Sequence, residues 1–302
     1  MMLLHPAAQI SWTQFTVHPS TVIGLAALGA LYHWRSRQVP RSDDLVPVPL
    51  RQGAATELAP MQPPFGPTPT QRLMFFTGLL VLFLSLNGPL HDLSDYYLFS
   101  AHMVQHLLLT LVVPPLLLGG TPGWMLRPAL RIPLVAVVAR RLTTLGMSFA
   151  LFNIVLAAWH IPALYNTALA YHPVHITQHL MFIVSSVLMW WPLMSPLPEL
   201  PRASYPMQML YCFVMVIPMS IVSIYIAMAD RVLYPLYATA PRVVPWTPMQ
   251  DQQYGGLIMW IPGGIFFYLV MTVVFFHWSR RAGDEGGAED VASAQAGWTP
   301  AG

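Results

Sequence analysis

The chain has 302 residues, of which 55% are hydrophobic and only 9% are charged, whereas soluble domains usually carry about 25% charged residues. This composition excludes a soluble globule and indicates a protein that crosses a lipid bilayer several times. All 14 basic residues are arginines, and the net charge of +2 gives no indication of nucleic-acid binding. Cys212 is the only cysteine, which excludes an intramolecular disulfide and a metal site built on a cysteine pair.

Seven apolar segments have the length of about 17–25 residues that a transmembrane helix needs. They predict an all-α polytopic membrane protein with seven transmembrane helices. In chain order the segments are 17–34, 71–88, 98–119, 142–160, 173–193, 205–229 and 254–278. A short loop from His91 to Tyr97 is predicted between the second and third helices.

The same pattern predicts four regions along the chain. Residues 1–34 would hold the N-terminal transmembrane helix, and residues 35–69 would form a Pro-rich cytoplasmic loop. Residues 70–281 would form a six-helix core with a histidine cluster on its outer side. Residues 282–302, rich in Gly, Ala and acidic side chains, are predicted to be a disordered cytoplasmic tail.

Arginine placement predicts the orientation, because cytoplasmic loops of membrane proteins are enriched in Lys and Arg. With seven helices, all arginines except Arg231 and Arg242 fall on one side of the membrane. The N-terminus is therefore expected outside and the C-terminus in the cytoplasm.

Two histidine pairs lie inside the predicted third and fifth helices. The pattern H-x-x-Q-H-L begins at His102 and again at His175, 73 residues later, and each copy places two imidazoles on one helix face. One more histidine precedes each copy. We interpret this as a degenerate helix-pair repeat, second-third and fourth-fifth, whose like orientation would bring two histidine triads face to face in the outer leaflet. The six histidines are His91, His102, His106, His160, His175 and His179.

Ionisable side chains are rare within membranes and indicate a functional site. Neutral imidazole is a good ligand for copper, zinc and iron, so all six histidines are candidate metal ligands, with Gln105 and Gln178 as residues that orient the rings. Hydrogen-bonded packing or proton handling without a metal stays open as an alternative. Asp92 and Asp95 are predicted to be solvated loop or helix-cap residues.

A proline interrupts the third predicted helix below its histidines. Pro114 removes a backbone hydrogen bond and leaves the carbonyl of Thr110 without its helical partner, one turn beyond His106. Paired glycines at 255–256 in the seventh helix permit close helix packing.

Four sequence blocks together indicate a family. They are HMVQHLLLTLVVPPLLLGGTP from His102, WHIPALYNTAL from Trp159, VHITQHLMF from Val174 with the later WWP, and DQQYGGLIMWIPGG from Asp251. Here the chain resembles the CtaG family of multi-spanning cytochrome c oxidase assembly factors, over most of residues 73–278. The resemblance implies a multi-pass protein of the bacterial inner membrane, not an enzyme, that helps to mature a haem-copper oxidase. Copper would be its cargo, and oxidase subunits or other assembly factors its partners.

Three other functions stay open from the histidines alone. A b-type haem protein could use His106 and His179 as axial ligands. A seven-helix membrane hydrolase could hold zinc, although the sequence contains no G-x-S-x-G nucleophile motif. A scaffold could contact oxidase subunits without binding any metal.

Overall fold

The computed structural model describes residues 15–38 and 66–296, with side chains to residue 283, and these ranges contain helices but no β-strand. The all-α prediction is therefore confirmed for the described part of the chain. A π-helical segment, Leu108–Val112, joins α4 to α5, and a 3-10 helix, Arg127–Arg131, follows α6. The α-helices are α1 (Pro19–Ser36), α2 (Pro69–Leu86), α3 (Gly88–Tyr96), α4 (Phe99–Leu107), α5 (Val113–Gly120), α6 (Gly123–Leu126), α7 (Pro133–Leu142), α8 (Leu145–His160), α9 (Pro162–Ala170), α10 (His172–Met194), α11 (Tyr205–Ala227), α12 (Pro235–Thr239) and α13 (Pro248–Ala296).

Five helical stretches among the described residues are long and apolar enough to cross a bilayer. Helices α7 and α8 meet at 79° and reach that length and hydropathy only as a pair, which gives six. Helix α1, predicted as the first span, is not among these stretches, so the seven-span count and the orientation stay predictions. The five stretches are Pro69–Leu86, Phe99–Gly120, His172–Met194, Tyr205–Ala227 and Pro248–Gly283.

Large apolar side chains cover the outside of the bundle, whereas many polar side chains lie inside it. Ile154, Leu180, Ile221 and Val273 are more than half exposed on four different helices. The buried set includes histidines, two aspartates and several glutamines. This arrangement fits a multi-pass membrane protein, because lipid solvates apolar faces and polar groups need partners inside the protein.

The segment between the second and third predicted spans is a helix, not a loop. Gly88, at φ +69°, adopts a left-handed conformation at the break between α2 and α3 that other residues disfavour. Helix α3 packs against α4 and buries both His91 and Asp95. The predictions of a loop here and of a solvated Asp95 are therefore wrong. A nine-residue helix is too short to be recognised from hydropathy, and Asp95 is buried only because α3 packs against α4. Asp92 is only partly buried and accepts a hydrogen bond from Thr16.

Helix α4, which carries the first histidine pair, is fixed at its start by α13. The Asp251 carboxylate accepts the backbone N–H groups of Phe99 at 2.8 Å and of Ser100 at 3.1 Å, and so caps the helix N-terminus. A Cβ atom at Gly255 would overlap the Phe99 ring. Glycine at this position therefore lets α13 approach α4 closely enough for the cap to form.

Helix α13 extends to Ala296, beyond the boundary predicted at residue 281. Most of the predicted Pro-rich loop, residues 39–65, lies outside the described residues, as do residues 297–302 of the predicted tail.

Candidate metal centre

The structure brings the six candidate histidines together between α3, α4, α8 and α10. All six side chains are buried, with relative exposures between 0 and 7%. Neighbouring rings have centroid separations from 4.3 Å, for His102 and His106, to 6.2 Å, for His91 and His175. The two H-x-x-Q-H-L copies therefore meet through their histidines, as their spacing on two helices predicts.

A first triad consists of His102 and His106 from α4 and His179 from α10. One ring nitrogen from each of the three lies within 4.8 Å of the other two. The Nε2 atoms of His102 and His106 are 2.8 Å apart. Nδ1 of His106 and Nε2 of His179 are buried and have no hydrogen-bond partner in the described part of the chain. Three converging imidazoles with an unused coordination position are a common metal-binding arrangement.

A second triad consists of Asp95 from α3, His102 and His175. Its ligand atoms also lie within 4.8 Å of one another. Nδ1 of His175 lies 3.3 Å from Oδ2 of Asp95, while Nε2 of His175 is buried without a hydrogen-bond partner among the described residues. Because both triads share His102, the structure joins them into one centre.

Two rings are held in the orientation that leaves Nε2 available. Nδ1 of His160 lies 2.7 Å from the carbonyl oxygen of Leu156, and Nδ1 of His175 faces the Asp95 carboxylate. A neutral imidazole that donates from Nδ1 carries its lone pair on Nε2, which is the usual tautomer of a metal ligand. The buried Nε2 atoms of both rings lack a hydrogen-bond partner in the described residues, so each is a candidate ligand atom.

Two of the six candidates lie outside the triads. Both nitrogens of His91 have partners, because Nδ1 is 3.2 Å from Nε2 of Gln105 and Nε2 is 3.4 Å from Oδ2 of Asp95. The ring of His160 lies 5.8 Å from that of His106, at the edge of the first triad. His91 therefore contacts Asp95 and Gln105, and the described contacts leave it no free nitrogen for a metal.

Asp95 puts a negative charge among these rings. Burial alone would raise the pKa of the Asp95 carboxyl, but His175 and His91 beside it lower that pKa below its usual range. Burial in turn lowers the pKa of His91, although Asp95 opposes this shift. Asp95 thus places a buried carboxyl group between two imidazoles, and a buried carboxylate of this kind favours a cation.

Sequence reasoning missed a tyrosine that supports the centre. Tyr237, on α12, donates its hydroxyl hydrogen to the carbonyl of Ser94 at 2.6 Å, and its oxygen lies 3.2 Å from Nδ1 of His102. The Tyr165 hydroxyl lies 3.1 Å from it. Burial raises the pKa of Tyr237 well above its ordinary value, so the hydroxyl keeps its proton. A tyrosine in a connecting segment belongs to no periodic pattern, so nothing in the sequence indicates this contact.

A π-helical segment lies directly beyond the first histidine pair. Thr110, within it, donates its hydroxyl hydrogen to the His106 carbonyl at 2.7 Å. The backbone carbonyl of Thr110, predicted to lose its helical partner to Pro114, accepts the indole N–H of Trp190 at 2.9 Å. Such π-bulges are frequent at functional sites. Here the irregular backbone is tied to α10, the helix that carries the second histidine pair.

Most of the chain matches the sequence model of a known protein family. The sequence model of the family described as cytochrome c oxidase caa3 assembly factor (Caa3_CtaG) matches residues 55–281, which include every residue of both triads. No curated protein and no solved structure matches the chain.

Proposed function

This chain belongs to the family of cytochrome c oxidase caa3 assembly factors, and from the ligand atoms that converge in its two triads we propose that it binds copper there and hands it to an oxidase during maturation. The oxidase subunits, or other assembly factors, would be its partners in a bacterial inner membrane. The protein would carry copper without catalysing a reaction, so each bound ion is expected to be released to a partner protein.

The observation that carries the proposal is the set of unpartnered imidazole nitrogens around the buried carboxyl group of Asp95. Nε2 of His175 and Nε2 of His179 are buried without hydrogen-bond partners in the described residues. Leaving polar atoms buried and unpaired costs about 1–3 kcal/mol each. The contacts of the Asp95 carboxylate in the described residues are with Ser94, His91 and His175, none of which is a permanent cation. A bound metal ion would give the unpaired nitrogens a partner and would balance the charge of the Asp95 carboxylate.

The donor set suits copper. Imidazole nitrogen is a good ligand for copper. Because His102 belongs to both triads, we expect one ion per chain. Three protein ligands leave a position that a ligand from the partner protein could take, which supplies a path for transfer by ligand exchange.

The experiment that tests the proposal is copper binding by the purified full chain in detergent. Cu(I) is offered under anaerobic, reducing conditions in competition with a coloured Cu(I) chelator, and bound metal is counted by elemental analysis. We expect one copper per chain, and more than about 100-fold weaker binding in the double variant His106→Ala/His179→Ala. The matched control is His33→Ala/His277→Ala, since both of these histidines are exposed and outside the cluster.

Copper binding alone does not establish a role in maturation, so a second experiment follows the oxidase. A host that lacks this chain is complemented with the wild type, the double variant or the control, and the copper content of its purified oxidase is measured. We expect copper-poor oxidase only with the double variant. Normal oxidase copper with that variant, or a folded wild-type chain that takes up no copper, would overturn the proposal and leave a metal-free scaffold. A Soret band in the purified chain would instead favour the haem alternative.

A further inference from the structure

A cavity of about 420 Å³ lies beside the two triads, between α1, α2, α3 and α10. His175 and His179 form part of its wall, so the cavity touches one ligand of each triad. Leu25, Leu82 and Ile183 line another part of it. The Nε2 atoms of both wall histidines are buried and lack hydrogen-bond partners among the described residues. Polar atoms without partners in the wall of a cavity indicate a ligand that passes through it or stays there.

Three more histidines line the same cavity, and they connect the cluster to the surface. His172 is exposed, and its ring lies 6.0 Å from that of His18. The His18 ring lies 4.6 Å from that of His91, which in turn lies 6.2 Å from that of His175. The rings of His175 and His179 are 4.3 Å apart. His172, His175 and His179 follow one another along α10 at spacings of three and four residues, so imidazoles line the cavity from the surface to the first triad without a step through His91.

Hydrogen bonds hold the segment that carries His18 against the rest of the bundle. The His18 N–H donates to Oδ1 of Asn87 at 2.8 Å, and the Gly88 N–H donates to the carbonyl of Thr16 at 2.8 Å. The Thr16 hydroxyl donates to Asp92 at 2.7 Å. The segment before α1 is thus held over the junction of α2 and α3, and His18 is kept beside His91 and His172.

From this juxtaposition we infer that the His18–His172 end of the cavity is the port through which copper reaches and leaves the buried triads. The inference rests on the proposed function and adds the route by which copper reaches the triads. Cu(I) accepts two or three nitrogen ligands and exchanges them, so an ion can pass from one pair of imidazoles to the next without becoming free. No proton or electron needs to be supplied for such an exchange, provided that each imidazole is neutral when it binds. His18 and His172 are then transfer ligands, whereas His102, His106 and His179 form the site where the ion rests.

The first test separates the rate of loading from the amount of copper bound. Cu(I) is delivered to the full-length chain from a coloured chelator complex in a stopped-flow instrument, and the final stoichiometry is measured on the same sample. We expect the double variant His18→Ala/His172→Ala to load at least about tenfold more slowly, because an ion must bypass two ligand positions, while its final stoichiometry and equilibrium affinity stay at the wild-type values. His33→Ala, an exposed position near the other end of α1, is the matched control and should load at the wild-type rate.

The second test closes the cavity without changing any histidine. Gly24 lines the cavity on α1, and a Cβ atom built there would meet no atom within 4 Å. Gly24→Phe therefore fills open space, and replacing a helical glycine should not weaken the helix. We expect Gly24→Phe to take up Cu(I) more slowly than the wild type but to bind the same final amount of copper. Gly146→Phe on α8, where an added Cβ also meets nothing within 4 Å, should load like the wild type.

Three results would overturn the inference. Wild-type loading rates in both His18→Ala/His172→Ala and Gly24→Phe would mean that copper uses another route. A lower equilibrium affinity in His18→Ala/His172→Ala would mean that these residues belong to the resting site. A wild-type chain that binds no copper at all would remove the proposed function itself, and the port with it; the end point of the wild type therefore distinguishes the two failures.

Discussion

The Nε2 atoms of His102 and His106 lie 2.8 Å apart, closer than two nitrogens that share a metal ion. With metal–nitrogen distances of about 2.0 Å and a trigonal or tetrahedral angle, that separation would be about 3.4 Å. In the metal-free centre one of the two nitrogens must donate a proton to the other. Metal binding must remove that proton from between the rings and separate them.

We therefore expect the two rings to move apart when the protein is loaded with Cu(I). X-ray absorption at the copper edge should report about three nitrogen ligands at roughly 2.0 Å, and a structure of the loaded chain should show the Nε2–Nε2 separation increased. A loaded structure in which these two atoms stay at 2.8 Å would show that the ion binds elsewhere.

Replacing Asp95 with asparagine should weaken copper binding without destabilising the metal-free protein. The substitution removes a buried negative charge that faces His175, and loss of a group that orients or neutralises a metal site typically costs about 10–100-fold in affinity. The metal-free variant should unfold at the same temperature as the wild type or higher, since an uncompensated buried charge is costly.

The control for this prediction is Asp92→Asn, three residues earlier on α3, whose carboxylate contacts Thr16 instead of the centre. It should bind copper like the wild type. If Asp95→Asn lowered the unfolding temperature and left copper affinity unchanged, the carboxylate would serve only to hold α3 in place.

Removing the cap of α4 should affect stability and metal binding together. Asp251→Ala leaves the N–H groups of Phe99 and Ser100 without their acceptor, which should cost about 1–2 kcal/mol of stability. Because His102 is carried by the same helix, copper affinity should fall as well. Thermal unfolding in detergent and the chelator competition measure the two effects. Asp230→Ala, at an exposed position, should change neither, and an unaltered Asp251→Ala protein would contradict the assigned role.

The sequence predicts those parts of this protein that repeat with the period of a helix. The spacing of His102 and His106, and of His175 and His179, places each pair on one face, and the structure brings the pairs into contact. The family predicted from the four sequence blocks is confirmed by the match over residues 55–281. These inferences succeed because they depend on local geometry and on long stretches of residues.

The contributions of Asp95 and Tyr237 could not be predicted in the same way. Asp95 lies on a nine-residue helix whose hydropathy resembles that of a loop, and only packing against α4 buries it. Tyr237 reaches His102 across 135 residues of chain. A cap on α4 supplied by α13 is equally remote in sequence. Contacts between distant segments depend on how the helices pack, which no periodicity encodes.

The hydrogen bond from Trp190 to the Thr110 carbonyl should help to position the metal ligands. Trp190→Phe removes the indole N–H that satisfies a carbonyl in the π-helical segment, and leaving that buried carbonyl unpaired should cost about 1–3 kcal/mol of stability. The π-helical segment follows directly after His106, so its relaxation to regular helix would rotate α4 relative to α10. We therefore expect weaker copper binding in Trp190→Phe, measured by chelator competition, together with a lower unfolding temperature. Trp34→Phe, at an exposed indole on α1, is the matched control; equal affinities in both variants would show that the irregular helix does not set the spacing of the ligands.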